Sequence, residues 1–477
     1  MIEELPIQEA SVQRWQEETI GLCPECLRSV PALLMESDNR IWIEQQCPRH
    51  GVSRALIASN ASEYLRLRTY VPPRTGGGCC GSGEVCGDPG KPPVCVLLIE
   101  ITRACNLRCP TCYADAQGHD FEPLEAVQKR LDRFFRDEQK RIDILMISGG
   151  EPTIHPQFAE ILDLALSYPV ERILVNTNGL RIAQNDVALD AVAERRRRAE
   201  LYLSLSSFEP DVHERLYGRD LRAEKISAVE RAKAAGIFVT VVATVENGVN
   251  DGELGALYKF CLSHENVNGL TLQPVMDTGR YTHRFAPQER TTMTGVIDSL
   301  SKQTSGALRA ADFVGLPCSH PDCCALTYGF LDSSRSSMLP LPRELDVSRY
   351  MDLFADRISF SGLMGSAARR LLSDLLTPKR GRALRDLAGL LSHDAVKGLI
   401  PLLGDEAALG KRIFRIVIKP FMDAHTYDFK RIDQCCTKIL DDSGRSVSFC
   451  EYNVFQRGRA PQIGLVPLTM AAPQSVS

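Results

Sequence analysis

Several things are scarce in this sequence. Its 477 residues hold 56 Lys and Arg against 60 Asp and Glu, a formal net charge of −4, so no basic excess marks it for nucleic acid. No apolar run approaches the ~18 residues that a membrane-spanning helix needs. The opening residues, MIEELPIQEASVQRW, are acidic and polar and lack the apolar centre of a signal peptide. There is no repeat of constant period and no long low-complexity tract. The run ERRRR at Glu194–Arg198 ends a helical pattern, which reads as a solvated helix end rather than a phosphate patch. Together these absences place the expected protein in the cytoplasm, where disulfides are rare.

Cysteine, by contrast, is plentiful: there are 17, and in a reducing compartment that number points to metal. They form five groups. The first is CPEC with CPRHG (Cys23, Cys26, Cys47, His50). The second is Gly-rich GGGCCGSGEVCG with Cys95 (Cys79, Cys80, Cys86, Cys95). The third is Cys105, Cys109 and Cys112, the fourth CSHPDCC (Cys318, Cys323, Cys324), and the fifth Cys435, Cys436 and Cys450. Cys261 stands alone in a helical pattern, as a small buried hydrophobe.

From about residue 95 to 278 strand-like and helical patterns alternate. The strand-like runs are VCVLLIEI, IDILMIS, ERILVNT, AELYLSLS, IFVTVVATV and NGLTLQPV, with helical stretches between them. Six β/α units predict a parallel sheet with helices outside, curling as a partial barrel. Ligands then belong at the C-terminal ends of the strands. Residues from about 360 to 420 read as mostly helical.

The third cysteine group, C-x3-C-x2-C, directly follows the first strand of this array. A structural zinc site wants four ligands in a closed shell. Three cysteines on one loop instead suit a cubane with one iron left open, or a zinc knuckle with a remote fourth ligand. The second strand runs into GGEP, Gly149 to Pro152. Two glycines allow close backbone approach, Glu151 offers a carboxylate to an ammonium group, and Pro152 fixes the turn.

The pairing of these two motifs resembles the radical S-adenosylmethionine (SAM) superfamily. That resemblance implies a partial (β/α)6 barrel and a [4Fe–4S] cluster on Cys105, Cys109 and Cys112. SAM would chelate the open iron, with the GGEP segment at its amino group. One electron would cleave SAM to methionine and a 5'-deoxyadenosyl radical that abstracts a substrate hydrogen. It also implies SAM contacts from Asn176, Asn178, Ser204 and Ser206. Thr111 stands where many members carry an aromatic residue, and Tyr113 follows the third cysteine instead.

Cys23, Cys26, Cys47 and His50 form a rubredoxin-like or zinc-ribbon-like knuckle pair for one zinc or iron ion, unless His50 is a surface residue. The other ten cysteines suggest one or two auxiliary [4Fe–4S] clusters. Cys79, Cys80, Cys86 and Cys95 would suffice for one; another would join Cys318/Cys323/Cys324 to Cys435/Cys436/Cys450. Zinc sites completed by His320 or His425 are the alternative.

Across most of the chain, CPEC…CPRHG, LQPV…TGR, PCSHPDCC and FMDAHTYDFKRIDQCC resemble the tetraether lipid synthase subgroup, which includes radical SAM methylases of a pterin precursor. The expected layout is a metal-knuckle domain at 1–70, a cysteine-rich linker at 71–95, the radical SAM core at 96–285, and a mostly helical auxiliary-cluster region at 286–477. The resemblance implies carbon–carbon bond formation at an unactivated carbon, in lipid coupling or small-molecule methylation. Peptide maturation is the alternative. Expected partners are SAM, a small-molecule or lipid substrate and a flavodoxin- or ferredoxin-like electron donor; the apolar stretch FSGLMGSAARRLLSDLL reads first as plain core, with a lipid channel or membrane-surface contact as the alternatives.

Overall fold

The computed structural model describes residues 15–70, 94–138, 141–184, 187–281, 285–316, 318–345, 347, 389–402 and 405–457. Cys79, Cys80, Cys86 and most of the helical stretch expected at 360–420 lie outside the described residues.

Four strands open the chain: β1 (Gln16–Leu22), β2 (Ser29–Ser37), β3 (Arg40–Cys47) and β4 (Gly51–Ala58). They pair in sequence order as an antiparallel sheet. Buried and exposed residues alternate along β2 and β3, as a sheet with one packed face requires. Helix α1 (Ala61–Arg68) follows, capped by the Asn60 side chain, which accepts from Glu63 N.

The six expected parallel strands form as β5 (Val96–Glu100), β6 (Ile142–Ser148), β7 (Val170–Thr177), β8 (Ala199–Ser204), β9 (Val239–Val245) and β10 (Val267–Pro274). They lie side by side in sequence order. Between them run α2 (Leu124–Asp137), α3 (Phe158–Ser167), α4 (Leu180–Ala183), α5 (Val187–Glu194), α6 (Pro210–Tyr217), α7 (Arg222–Ala234) and α8 (Leu254–Ser263); α9 (Met293–Gln303) follows β10. One face of the sheet packs on these helices in the main core, which includes Leu97, Leu145, Ile173, Leu201 and Val241. Cys261 lies in that core, fully buried on α8. The alternate residues Leu98, Met146, Leu174, Tyr202 and Val242 face inward and meet Phe449, with Tyr113 and Phe421 at the edge. ERRRR does follow the end of α5, where Arg195 pairs with Asp163.

The region beyond residue 285 contributes more strand than its sequence suggested. Short helices at Asp394–Lys397 and Glu406–Gly410 are described, but β14 (Ile413–Ile418) then enters the sheet parallel to β10. Its residues, IFRIVI, are β-branched and aromatic around one arginine, a strand composition inside the stretch read as helical. At the other edge β15 (Thr437–Leu440) pairs parallel to β5 and antiparallel to β16 (Ser446–Ser448). Beyond β14 lies antiparallel β12 (Ala325–Leu331), which carries β11 (Val314–Gly315) and β13 (Met338–Pro340). The array thus gains one parallel strand on each side. Its ends meet: Cys95, just before β5, has its Sγ 3.1 Å from that of Cys318, just after β11. The sheet is curled into a barrel, and a cysteine contact marks the seam.

The first domain docks on the C-terminal region through polar pairs. Thr19 Oγ1 donates to Asp428 (2.5 Å), Tyr64 OH to Asp322 (2.8 Å), and Arg68 pairs with both Asp322 and Glu17. Asp423 is fully buried, and the Arg290 guanidinium holds its carboxyl below the usual range; the pair is bidentate, at 3.1 and 2.6 Å. It also accepts from Asp277 N and His425 N. Removing one partner of such a pair leaves a buried charge unmatched, at a cost of about 3–5 kcal/mol. Asp423→Ala should therefore lose about that much stability in urea unfolding at pH 7, and Arg290→Met/Asp423→Leu should recover much of it. Because the carboxyl's pKa is depressed, this contribution is present at neutral pH and fades as pH falls through the folded value.

Candidate active site and metal centres

The loop after β5 and the end of β6 are joined backbone to backbone. Gly150 N donates to Thr102 O (2.9 Å) and Glu151 N to Ala104 O (2.9 Å). A Cβ on Gly149 would lie 2.4 Å from Thr102 O, and one on Gly150 would lie 2.1 Å from Ala104 O. The glycines are therefore needed for the close approach of the GGEP segment to the cysteine loop. A cavity of about 210 Å³ opens at this junction, lined by Glu100, Thr102, Gly149, Gly150, Tyr452 and Arg457 among others.

Cys105, Cys109 and Cys112 are each partly exposed on that loop. Burial pushes the Cys105 thiol up to about 12 and the Cys109 thiol up to about 11; Cys109 and Cys112 add to the first, and Cys112 adds to the second. They do not all lie within 4.8 Å of one another, the spacing of ligands around a single ion. Three spread, partly exposed thiols on one loop fit a cluster with one free corner better than a closed single-ion site. Two cations oppose the burial cost, Lys225 and Arg280, whose charges both favour the Cys109 thiolate. Lys225, fully buried on α7, donates to Ser204 O (2.6 Å), Ser204 Oγ (2.9 Å) and Asn178 O (3.2 Å) and lies 4.1 Å from the Tyr217 ring centroid. Arg280 clamps the loop, donating to Cys109 O (3.0 Å), Ala116 O (2.7 Å) and Asp115 (2.8 Å). This is the arginine of TGR, and Gly279 (φ +60°) lies against the Cys112 and Tyr113 carbonyls. Sequence reading quoted TGR without giving it a role and passed over Lys225.

Glu151 does more bracing than the sequence suggested. It is 1% exposed. Its carboxylate accepts from Thr153 N (3.2 Å), Thr153 Oγ1, Thr177 Oγ1 (2.7 Å) and Asn178 N (2.7 Å). Four internal donors tie the end of β6 to that of β7 and leave little of the carboxylate for an incoming ammonium group. Pro152 is buried at the start of the turn Pro152–Ile154 and acts through backbone geometry.

The other expected contacts divide. Asn176 and Ser204 are half-buried near the ends of strands that are otherwise almost wholly buried, on the inward face. Thr244 and Gln273 occupy equivalent places on β9 and β10, and Glu100 on β5. These five polar residues rim the barrel mouth, and only two of them were expected. Asn178 reaches the cysteine loop, donating to Asn106 Oδ1 (2.7 Å). Ser206 is 1% exposed and bonded to Tyr217 OH and Thr244 N, so it braces the wall and does not face the mouth.

In the N-terminal sheet, the β1–β2 and β3–β4 turns bring Cys23, Cys26, Cys47 and His50 together, with their ligand atoms all within 4.8 Å. A tetrahedron with Zn–S of about 2.3 Å and Zn–N of about 2.0–2.1 Å has S···S edges of about 3.8 Å and S···N edges of about 3.5 Å. The structure has Cys26–Cys47 at 4.0 Å, Cys47–His50 at 3.5 Å and Cys23–His50 at 3.2 Å. These residues fit one tetrahedral ion, and His50 is part of the set. Backbone donors from Arg49 and His50 lower the Cys47 thiol to about 6, favouring the ligand form.

The remaining described cysteines fall in two groups. Cys95 meets Cys318 and Cys436, the three lying within 4.8 Å of one another and 0–1% exposed, while the Cys79–Cys86 segment expected beside it lies outside the described residues. Cys324 shares their apolar surround. The contacts at 3.1 and 3.8 Å are those of thiols sharing hydrogens; a metal centre here requires the sulfurs to spread and ionise. Cys323, Cys435 and Cys450 interact as a second group, Cys435 and Cys323 both raising Cys450. Each adjacent pair among the described residues, Cys323–Cys324 and Cys435–Cys436, is thus divided between the two groups. Cys324 is extended (φ −162°, ψ 130°), and in extended chain successive side chains point to opposite sides. Lys419 is half-buried, and its charge is favoured by cysteines of both groups, Cys324, Cys436, Cys323 and Cys435. The imidazoles proposed as zinc ligands are engaged elsewhere, His320 with Asp322 and His425 with Asp277.

Gly150→Ala should push the cysteine loop away from β6. Iron and labile sulfide in the reconstituted protein should fall by about one cluster, while the N-terminal ion, read by elemental analysis, stays at one per chain. Unchanged iron would mean that the close approach is not needed for the cluster.

Residues 99–261 match the Radical SAM superfamily, and residues 15–59 match the HMPTM N-terminal zinc ribbon domain. The chain is 26% identical to 7,8-dihydro-6-hydroxymethylpterin dimethyltransferase of Methanocaldococcus jannaschii, over 95% of this chain and 96% of that protein. It is 30% identical to the mycofactocin maturase MftC of Mycobacterium ulcerans, over 34% of this chain and 42% of that protein. Among solved structures, Streptococcus suis SuiB bound to precursor peptide SuiA aligns with a TM-score of 0.38 and 17% identity, covering 45% of this chain and 46% of that one. With the cysteine loop, the GGEP junction and the barrel on which they sit, the family match makes residues 99–261 a radical SAM domain.

Proposed function

We propose that this enzyme methylates a polar small molecule, forming a carbon–carbon bond on a pterin-like ring. The observation that carries the reading is the extent of the similarity to the pterin dimethyltransferase. It runs through the zinc ribbon, the barrel and the C-terminal cysteine groups, over 95% of the chain. The similarity to the maturase covers only about a third of the chain, so it speaks for the shared barrel chemistry and less for a peptide substrate.

The barrel mouth supports the same reading. Glu100, Asn176, Ser204, Thr244 and Gln273 offer donors and acceptors around an opening whose floor is apolar. A flat ring with several ring nitrogens can stack on the floor and bond to the rim; a pair of alkyl chains would leave the rim polar groups unmatched. No helix among the described residues is long and apolar enough to cross a membrane. Cys105, Cys109 and Cys112 would hold the [4Fe–4S] cluster, which when bound supplies the electron that cleaves SAM. Gly149 and Gly150 present backbone to the methionyl end of SAM. Phe421, Phe449 and Tyr113 close the floor against water. The electron donor on this reading is a flavodoxin- or ferredoxin-like protein, and the auxiliary groups carry iron–sulfur clusters.

The reading is tested with anaerobically reconstituted protein, reductant, SAM and 7,8-dihydro-6-hydroxymethylpterin. Mass spectrometry should find 5'-deoxyadenosine together with a pterin heavier by one or two methylene units. Replacing Cys105, Cys109 and Cys112 with Ala should bring both to background. Deoxyadenosine without any pterin product would defeat the substrate assignment and turn attention to peptides.

A further inference from the structure

The two auxiliary cysteine groups share one half-buried cation and differ in a buried one. Lys419 faces both, so its charge acts on Cys324 and Cys436 as on Cys323 and Cys435. Arg431 belongs to one. It is 5% exposed, its Nε donates to Cys323 Sγ (3.4 Å), and a second guanidinium nitrogen is fixed by Pro420 O (3.2 Å). Its charge favours the Cys323 and Cys450 thiolates. Met422 N adds a further N–H···S bond to Cys450 at 3.3 Å. The carboxylate nearest this cation, Asp322, is already matched by Arg68 and Tyr64. The group Cys95–Cys318–Cys324–Cys436 sits instead in an apolar surround with Val314, Leu316, Leu326 and Tyr328.

We propose that Arg431 sets the two auxiliary centres at unequal reduction potentials, making the one on Cys323, Cys435 and Cys450 the more readily reduced. This rests on the reading that both groups hold iron–sulfur clusters. Reduction adds one negative charge to a cluster. A private buried cation and N–H···S bonds stabilise that added charge, and solvent exposure and hydrogen bonds to sulfur are the levers that set such potentials. A shared cation moves both centres together and leaves the difference to Arg431. Arg431 acts through Cys323 and is a positioning residue for the cluster's charge, not a catalytic one. The pairs Cys323–Cys324 and Cys435–Cys436 each join the higher-potential centre to the lower-potential one through a single peptide unit, a short path for one electron.

The test is an EPR-monitored redox titration of the full-length reconstituted enzyme, in which the signal that changes on adding SAM identifies the third cluster. The other two signals in the wild type should have separate midpoints. Arg431→Gln, which keeps an N–H donor but deletes the charge, should lower one of them by at least a tenfold change in its one-electron equilibrium, 59 mV, and leave the other in place. Arg431→Lys should restore most of that shift. Coincident midpoints in the wild type overturn the inference without any variant. So does a shift of both centres together, or of neither, in Arg431→Gln. Zinc without labile sulfide in these groups would defeat the auxiliary-cluster reading itself, and the inference with it.

Discussion

A cysteine sulfur is easily buried as a thiol but not as a thiolate, and metal binding needs the thiolate. That conflict organises this molecule. Burial pushes Cys105, Cys324 and Cys450 up to about 12. Ionising several such groups together inside a protein is prohibitive unless positive charge is placed beside them. The chain provides it where the cysteines are buried in numbers. Lys225 and Arg280 serve the loop after β5, and Lys419 and Arg431 serve the two groups near the seam. The zinc ribbon relies on turn amides and His50 for its one ion.

The same conflict explains the barrel seam. A sheet that curls leaves two edges to reconcile. Here β15 extends one side of the array, and β14 and β12 the other. The contact between them is made by Cys95, Cys318 and Cys436, from three distant parts of the sequence. A metal centre at that point would cross-link the first strand of the barrel to the C-terminal region, so loading it and closing the barrel become one event. The zinc ribbon is tied to the same place, since Tyr64 and Arg68 of α1 bind Asp322, between Cys318 and Cys323.

The barrel strands were legible because each is a short apolar run bounded by a helical pattern, and the periodicity is local. The loop triad and GGEP were legible for the same reason: their meaning lies in spacing along one segment. The ribbon needed only two knuckles in adjacent hairpins. What sequence alone did not yield depends on distance in space. IFRIVI carries a strand composition, yet nothing local says that it will pair with β10, 140 or more residues earlier. Cys95 was grouped with its nearest neighbours in sequence, and nothing local says that the fold also carries it to Cys318. Glu151 was given to the ligand because its motif has a carboxylate, while its partners Thr177 and Asn178 sit one strand further on. Lys225 gives no sign in a helix that reads AEKISAVERAKA; only the closed barrel turns it inward.

The motifs that seemed separate in the sequence prove to be one network. TGR places Arg280 on the cysteine loop, and its threonine, Thr278, donates to Asn453 O in the C-terminal segment. FMDAHTYDF places Asp423 on Arg290 and on the amide of Asp277, two residues from Gly279. RIDQCC places Arg431 on Cys323 of PCSHPDCC. Arg280 joins a segment after β10 to the loop that would hold the SAM cluster, Arg431 joins another to an auxiliary group, and the contacts of Thr278 and Asp423 tie those segments together. The C-terminal region is therefore not an appendage with its own metal sites. It completes the barrel, covers its floor with Phe421 and Phe449, and carries half of the charge that lets the cysteines ionise. That is why similarity spanning the whole chain says more about the reaction than similarity confined to the six-stranded array.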